Sequence, residues 1–110
     1  AGSHVVWNRD EVPVGGTRWF VIEGSTVPYI LIQLENGEYK DYEQKCTHLT
    51  CSVLYKPGTG IIHCHCHEGS FDAMTGDVIA GPPPRALPKL EVFFKDNDIY
   101  VKASEEKVLS

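Results

Sequence analysis

The sequence has little that would support a membrane-spanning, helical or nucleic-acid-binding protein. No apolar run approaches the ~20 residues that a transmembrane helix requires. The formal net charge of the 110-residue chain is −5, so the basic surface that nucleic-acid binding needs is lacking. No segment of helical length shows an apolar repeat of 3.6 residues with caps. We therefore expect no membrane span in this chain, no nucleic-acid partner and almost no helix.

The sequence also lacks the residue pairings on which most enzyme active sites depend. It shows no nucleophile–base pair and no phosphate-binding glycine loop. Its 4 cysteines all lie between Cys46 and Cys66, whereas a disulfide framework more often spreads cysteines along the chain. Because these cysteines cluster with histidines, they indicate a metal site. We expect the chain to carry out no substrate chemistry alone.

What the sequence has in abundance is short strand patterns separated by turns. It contains 7 Pro and 10 Gly, and Asn36-Gly37 is a strong signal for a two-residue hairpin. Short strands with regular turn signals predict an antiparallel all-β domain. The predicted strands cover 17–22, 29–34, 39–44, 53–55, 60–62, 90–94 and 99–102.

The length predicts one compact domain, which we place at residues 5–103. Residues 1–4 read as a remnant of tag cleavage, and residues 104–110 form a polar tail that is expected to fray. Residues 10–14 are predicted to hold one helical turn at most. Trp7, Trp19 and the tyrosines are expected to pack in the core and the sheets.

Two short segments carry the candidate metal ligands. Box one, Cys46–Cys51, reads CTHLTC, and box two, Cys64–Asp72, reads CHCHEGSFD. A set of two cysteines and two histidines suits tetrahedral zinc, and it also suits a two-iron cluster in which each iron takes one residue type. Zinc fingers pair like with like, whereas each box here mixes a cysteine with a histidine. That mixing favours a two-iron cluster held between two loops.

The two boxes closely resemble those of the Rieske iron–sulfur proteins of quinol–cytochrome oxidoreductases, where the motifs read CTHLGC and CPCHGS. The resemblance implies one Rieske-type [2Fe–2S] cluster in a Rieske-type antiparallel β-sandwich. It also implies a small cluster-binding subdomain of loops and short strands over about 45–82. A disulfide would join Cys51 and Cys66. The cluster ligands would be Cys46, His48, Cys64 and His67.

The resemblance extends to residues around the cluster. The segment Gly81–Pro88, which reads GPPPRALP, is similar to the proline loop that covers the cluster in the family. Leu49 lies next to His48, where it either shields the cluster from water or packs as ordinary core. The implied cluster environment comprises Leu49, Gly69, Ser70, Phe71, Pro82 and Pro83.

Two positions depart from the quinol-oxidising pattern. The family commonly has a serine and a tyrosine whose hydroxyls donate to sulfur, and these places hold Gly69 and Phe71. In this respect box two is more similar to the Rieske ferredoxins of aromatic-ring dioxygenase systems, which usually lack the disulfide. The chain thus combines features of two types, which leaves its parent system open.

Three functions follow from these patterns. The first is one-electron transfer as the soluble head of a quinol–cytochrome (bc-type) oxidoreductase iron–sulfur subunit, with a quinol-oxidising cytochrome subunit and a cytochrome c type acceptor as partners. The second is a freestanding Rieske ferredoxin serving a reductase or an oxygenase. The third, from another class, is a structural zinc module. A disulfide favours an extracytoplasmic location on the periplasmic side of the membrane, with the cytoplasm as the alternative.

Overall fold

The computed structural model describes residues 4–22, 24, 27–44, 51–64, 66, 68–81 and 86–103. These residues form an all-β domain, which confirms the predicted fold class, and one 3₁₀ turn lies at Arg9–Glu11. No helix among them is long and apolar enough to cross a bilayer. The strands are β1 (His4–Asn8), β2 (Thr17–Phe20), β3 (Tyr29–Gln33), β4 (Tyr39–Glu43), β5 (Val53–Lys56), β6 (Ile61–Cys64), β7 (Gly69–Asp72), β8 (Val78–Ala80), β9 (Lys89–Lys95) and β10 (Asp98–Ala103).

The strands form two antiparallel sheets of unequal size. The large sheet has the order β1-β10-β9-β4-β3-β2, and the small sheet has the order β5-β6-β7-β8. The small sheet is one uninterrupted stretch of chain inserted between β4 and β9, which are hydrogen-bonded neighbours in the large sheet. Both boxes therefore belong to this insertion or to its entry from the large sheet.

The seven strands predicted from short strand patterns and turn signals are all present, with ends that differ by one or two residues. The strands β1, β7 and β8 were not predicted. The sequences of β7 and β8, GSFD and VIA, are too short to show alternation. Their strand conformation comes from pairing with neighbours, because β7 is held between β6 and β8.

Strand β3 is buried on both faces, so its sequence YILIQ reads as an almost continuous apolar run. Alternate residues of β3 feed two core clusters, one on each face of the large sheet. The first core cluster, shared with the small sheet, contains Ile30, Ile32, Leu34, Tyr42, Val53, Tyr55, Ile62, Cys64, Phe71, Ala73 and Leu87. The second contains Val12, Phe20, Tyr29, Leu31, Leu90, Ile99 and Val101.

The two tryptophans behave differently from one another. Trp7 packs against the second core cluster, as predicted. Trp19 was also expected in the packing, and this prediction is wrong, because its side chain is 63% exposed. Trp19 lies opposite Ile30 on edge strand β2, and its side chain lines a groove that opens between the two sheets instead of packing in the core.

Candidate metal centre

Box two forms the connection between β6 and β7. Cys64 is the last residue of β6 and is fully buried in the first core cluster, where it lies opposite Gly69 of β7. Cys66 lies in the turn and is exposed. Glu68 adopts the left-handed backbone conformation, with φ 56°, which lets the chain reverse into β7. The hairpin therefore places Cys64 inside and Cys66 outside.

A disulfide joins the two boxes. Cys51, the last residue of box one, is bonded to Cys66 of box two, and the two Cα atoms are 6.3 Å apart. This confirms the pairing that the resemblance implied. Cys51 is half-buried and packs against the first core cluster, which also contains Cys64. The bond thus holds the end of box one beside the strand pair that carries box two.

The structure describes only part of the predicted site. Of the four predicted ligands, it describes Cys64. The ligands Cys46, His48 and His67 lie outside the described residues, as do Leu49, Pro82 and Pro83. Among the described residues, no group of three or more His, Cys, Asp or Glu side chains comes together as a metal site. The ligand set therefore stays a prediction.

The predicted cluster-environment residues that the structure describes lie in or next to the same apolar core as Cys64. Gly69 is buried, Ser70 is half-buried, and Phe71 is fully buried in the same core cluster as Cys64. Phe71 has no hydrogen-bond donor on its side chain. Any hydrogen bonds to sulfur on this side of the site must therefore come from backbone N–H groups or from other side chains.

Gly81 brings the proline segment onto box two. Its φ is +92°, and a Cβ atom there would lie 2.7 Å from the Gly69 Cα and 3.0 Å from the Glu68 carbonyl oxygen. At the other end of the segment, the Leu87 N–H donates to the Gly76 carbonyl over 2.9 Å. Sequence reasoning included Gly81 in the proline segment but gave it no role of its own, although a glycine before a proline run is itself a turn signal.

Among the described residues, three side chains donate hydrogen bonds that join the small sheet or its turns to the large sheet or its hairpins. The Tyr55 hydroxyl donates to Glu35 Oε1 over 2.5 Å, and the Tyr42 hydroxyl donates to the Ala73 carbonyl over 2.8 Å. The third runs from Gln44 Nε2 to the Val53 carbonyl over 3.2 Å. The bond from Tyr55 lowers the pKa of Glu35, and burial together with that bond raises the pKa of Tyr55 to about 12. Burial also raises the pKa of Tyr42.

The donor set fits a two-iron cluster. With Cys51 and Cys66 bonded, each box keeps one thiol and at least one imidazole, since box two contains both His65 and His67. The Cys64 side chain is already removed from water, as a cluster ligand in a protein core must be. The described part of the site is thus compatible with a cluster whose two irons take cysteine and histidine, respectively.

Comparison with known proteins gives the family. The Rieske [2Fe-2S] domain model matches residues 3–91. The carotenoid phi-ring synthase of Chlorobaculum tepidum is 35% identical over 84 residues, which are 76% of this chain and 12% of that protein. The cytochrome bc1 complex Rieske iron-sulfur subunit of Corynebacterium diphtheriae is 39% identical over 69 residues, 61% of this chain and 17% of the subunit. The chain therefore spans a small part of these relatives.

Two ferredoxins match over nearly their whole length. The 3-phenylpropionate/cinnamic acid dioxygenase ferredoxin subunit of Photorhabdus laumondii is 29% identical over 100 residues, 89% of this chain and 91% of that one. The solved ferredoxin of carbazole 1,9a-dioxygenase from Nocardioides aromaticivorans superposes with a TM-score of 0.78 at 19% identity, covering 94% of this chain and 100% of that chain. At 19% identity, the similarity to the carbazole dioxygenase ferredoxin shows that the two proteins share a fold.

The two antiparallel sheets and the disulfide-linked Cys/His boxes define an iron–sulfur domain of the mixed-ligand type. The chain belongs to the Rieske [2Fe–2S] domain family. Its cofactor is accordingly one Rieske-type [2Fe–2S] cluster.

Proposed function

We propose that this chain transfers single electrons through a Rieske cluster bound by Cys46, His48, Cys64 and His67. The observation that carries the proposal is the Cys51–Cys66 disulfide, because it brings together two boxes that each supply a thiol and an imidazole. When bound, the cluster accepts and releases one electron. Neutral histidine in place of anionic cysteine makes its potential higher than that of all-cysteine clusters. The chain supplies the ligands and the buried apolar side chains that keep water away from them.

The parent system that we favour is a quinol–cytochrome oxidoreductase, in which this chain is the iron–sulfur head. Support comes from the disulfide and from the 39% identity to a cytochrome bc1 complex Rieske subunit. The partners would then be a quinol-oxidising cytochrome subunit and a cytochrome c type acceptor. The disulfide also supports an extracytoplasmic location, because such bonds persist in oxidising compartments.

A freestanding ferredoxin is the second candidate. It is favoured by Gly69 and Phe71 in box two and by the match over 91% of a dioxygenase ferredoxin subunit. In that case the partners would be a reductase and an oxygenase. The two candidates differ in the midpoint potential that each requires, since a quinol-oxidising head must accept electrons from a weaker reductant.

The ligand assignment is tested by metal analysis and spectroscopy of the purified protein. We expect two irons and two sulfides per chain, and an EPR spectrum of the reduced protein with the low average g value of mixed Cys/His ligation. Replacing His67 by Cys should change this spectrum, whereas the same change at His63, which lies in β6, should leave it unaltered. Stoichiometric zinc without iron would contradict the proposal.

The parent system is tested with the same protein. We expect reduction by a quinol in the presence of a cytochrome bc-type membrane preparation and subsequent oxidation by cytochrome c. Rapid reduction by a flavin-dependent ferredoxin reductase, with no response to quinol, would instead favour the ferredoxin.

A further inference from the structure

Gln44 lies where the chain leaves the large sheet for box one. It follows β4 directly and precedes Cys46 by two residues, while Val53 follows Cys51 by two residues and begins β5. The Gln44 backbone N–H donates to the Pro28 carbonyl over 2.9 Å, on the large-sheet side. Its side-chain Nε2 donates across to the Val53 carbonyl over 3.2 Å. A single residue thus closes the two ends of box one.

The same hydrogen bond reaches the strand pair that carries box two. Val53 lies directly opposite Cys64 in the β5–β6 register, and both residues are fully buried. A change in the position of Val53 is therefore passed to Cys64 through one cross-strand step. The side chain of Gln44 links the start of box one to the place of a ligand in box two.

The two sheets are not densely packed on the open side of this hydrogen bond. A groove of about 350 Å³ opens between them, and its walls include Gln44, Trp19 and Leu54. Trp19 and Leu54 are 63% and 47% exposed, so they make few of the contacts that fix a dense core. The other two hydrogen bonds that side chains donate between the sheets start from Tyr42 and Tyr55, and neither involves the Val53–Cys64 pair.

We propose that Gln44 is a positioning residue for the cluster, which sets the separation between box one and Cys64 through its hydrogen bond to the Val53 carbonyl. The proposal rests on the ligand assignment made above. In this role Gln44 acts through the Val53 carbonyl and is not itself a ligand. Its effect is to keep the two ligand loops at one spacing, which the geometry of a rigid two-iron cluster requires.

The test uses Gln44→Met in the cluster-loaded protein. Methionine matches the length of glutamine and lacks the amide donor. The matched control is Gln33→Met, because Gln33 Nε2 makes a similar bond, 3.1 Å long, to the Gly37 carbonyl in the β3–β4 hairpin. Measured quantities are the rate of cluster loss, from the decay of visible absorbance in a chelator, and the g values of the reduced protein.

We expect Gln44→Met to lose its cluster about fivefold faster than the unmodified protein and to shift the g values. A fivefold change is roughly 1 kcal/mol, the usual contribution of one hydrogen bond. The Gln33→Met variant should match the unmodified protein in both measurements. Gln44→Lys restores a donor of similar reach and should bring the rate back to within about twofold of the unmodified protein.

The positional role is overturned if Gln44→Met matches the unmodified protein, if both methionine variants accelerate loss equally, or if Gln44→Lys stays at the methionine rate. Failure of the underlying ligand assignment looks different. In that case the unmodified protein itself would show no spectrum of mixed Cys/His ligation, before any variant is compared.

Discussion

At the scale of single residues, two buried side chains bear on measurable properties of the protein: Phe71 on the reduction potential and Asp41 on the pH dependence of stability. Phe71 is fully buried in the same core cluster as Cys64, and it stands where quinol-oxidising relatives carry a tyrosine. Hydrogen bonds to sulfur stabilise the reduced cluster, because they offset its extra negative charge. The absence of a hydroxyl from the side chain at position 71 therefore favours a lower potential than in those relatives.

The substitution Phe71→Tyr tests this reasoning. We expect the midpoint potential to rise by the order of ~50 mV, since ~59 mV is a tenfold change in a one-electron equilibrium. Phe20→Tyr, in the second core cluster, is the control and should leave the midpoint unchanged. Redox titration monitored by EPR measures both. A new hydroxyl–sulfur bond seen in a crystal structure, with no shift of the midpoint, would show that this donor does not tune the cluster.

Asp41 is the second such residue. It is 1% exposed, its cross-strand neighbours Leu31 and Leu90 are apolar, and neither carboxyl oxygen has a hydrogen-bond partner among the described residues. Burial raises the pKa of this carboxyl well above its usual value. The folded protein therefore holds a proton that the unfolded chain releases near pH 4.

This uptake of a proton makes stability fall as pH rises from about 4 to the raised pKa of Asp41, by up to about 1.4 kcal/mol per pH unit. Asp41→Asn removes the titration, so the variant should lose less stability over this range than the unmodified protein. Asp98→Asn, at an exposed position on β10, is the matched control. The measurement is the free energy of unfolding from urea titrations between pH 4 and 8. If it changes equally with pH in Asp41→Asn and in the unmodified protein, Asp41 is ionised in the folded state.

At the scale of elements, the connections between strands carry the chemistry while the strands supply rigid supports. Box two is held at the end of β6, box one is closed by Gln44 and by the disulfide, and the proline segment is anchored at Gly81 and Leu87. Each loop thus has its ends tied to a sheet or to another loop. Loops fixed at both ends can hold ligands in one geometry, and a well-defined reduction potential requires such a fixed geometry.

The substitution Gly81→Ala tests the anchoring of the proline segment. The added Cβ would lie 2.7 Å from the Gly69 Cα, so the end of box two or the segment itself must shift. Gly37→Ala is the matched control, because its φ of +93° is equally unfavourable for alanine and no atom lies within 4 Å of its Cβ. Both variants should lose roughly 1 kcal/mol of stability from backbone strain.

Only Gly81→Ala should also accelerate cluster loss, by several-fold, because only its Cβ meets another backbone. Calorimetry measures the stability of both variants, and the decay of visible absorbance measures cluster retention. Equal rates of cluster loss in the two variants would mean that the contact between residues 81 and 69 does not support the site.

At the scale of the whole molecule, the small sheet packs on the large one through the first core cluster, and three described side chains donate hydrogen bonds between them. The bond farthest along the chain from the boxes joins Tyr55 to Glu35, which also accepts from the Gly58 N–H over 2.9 Å. The pKa of Tyr55, raised to about 12, means that the folded state keeps the phenol protonated after the unfolded chain has ionised. Stability is therefore lost as pH rises from about 10 to 12.

The substitution Tyr55→Phe tests this link between the sheets. At neutral pH the variant should be less stable by roughly 1 kcal/mol, because one hydrogen bond is lost. Between pH 10 and 12 its stability should fall less steeply than that of the unmodified protein. Tyr100→Phe is the control, since the Tyr100 ring stacks on Phe93 and the phenylalanine keeps that contact. Identical pH profiles for Tyr55→Phe and the unmodified protein would rule out this contribution.

The features that could be predicted from the amino-acid sequence are those that depend on residues close together in the chain. Box one and box two, each within nine residues, indicated the cluster type, and short β-branched and aromatic segments between turn signals predicted β2 to β6, β9 and β10. Ligand chemistry and strand period both depend on residues close together in sequence. The disulfide pairing could not be read from local residues alone. The family resemblance implied it, and the structure shows it between Cys51 and Cys66.

The tertiary structure decided what depends on distant parts of the chain. Trp19 is exposed because a groove opens between the two sheets beside it, and Asp41 is buried between the cross-strand leucines Leu31 of β3 and Leu90 of β9. The need for glycine at position 81 arises from the backbone of Gly69, and the reach of Gln44 to Val53 depends on how the two sheets meet. No local pattern encodes these features, because each arises only when separate strands are brought together.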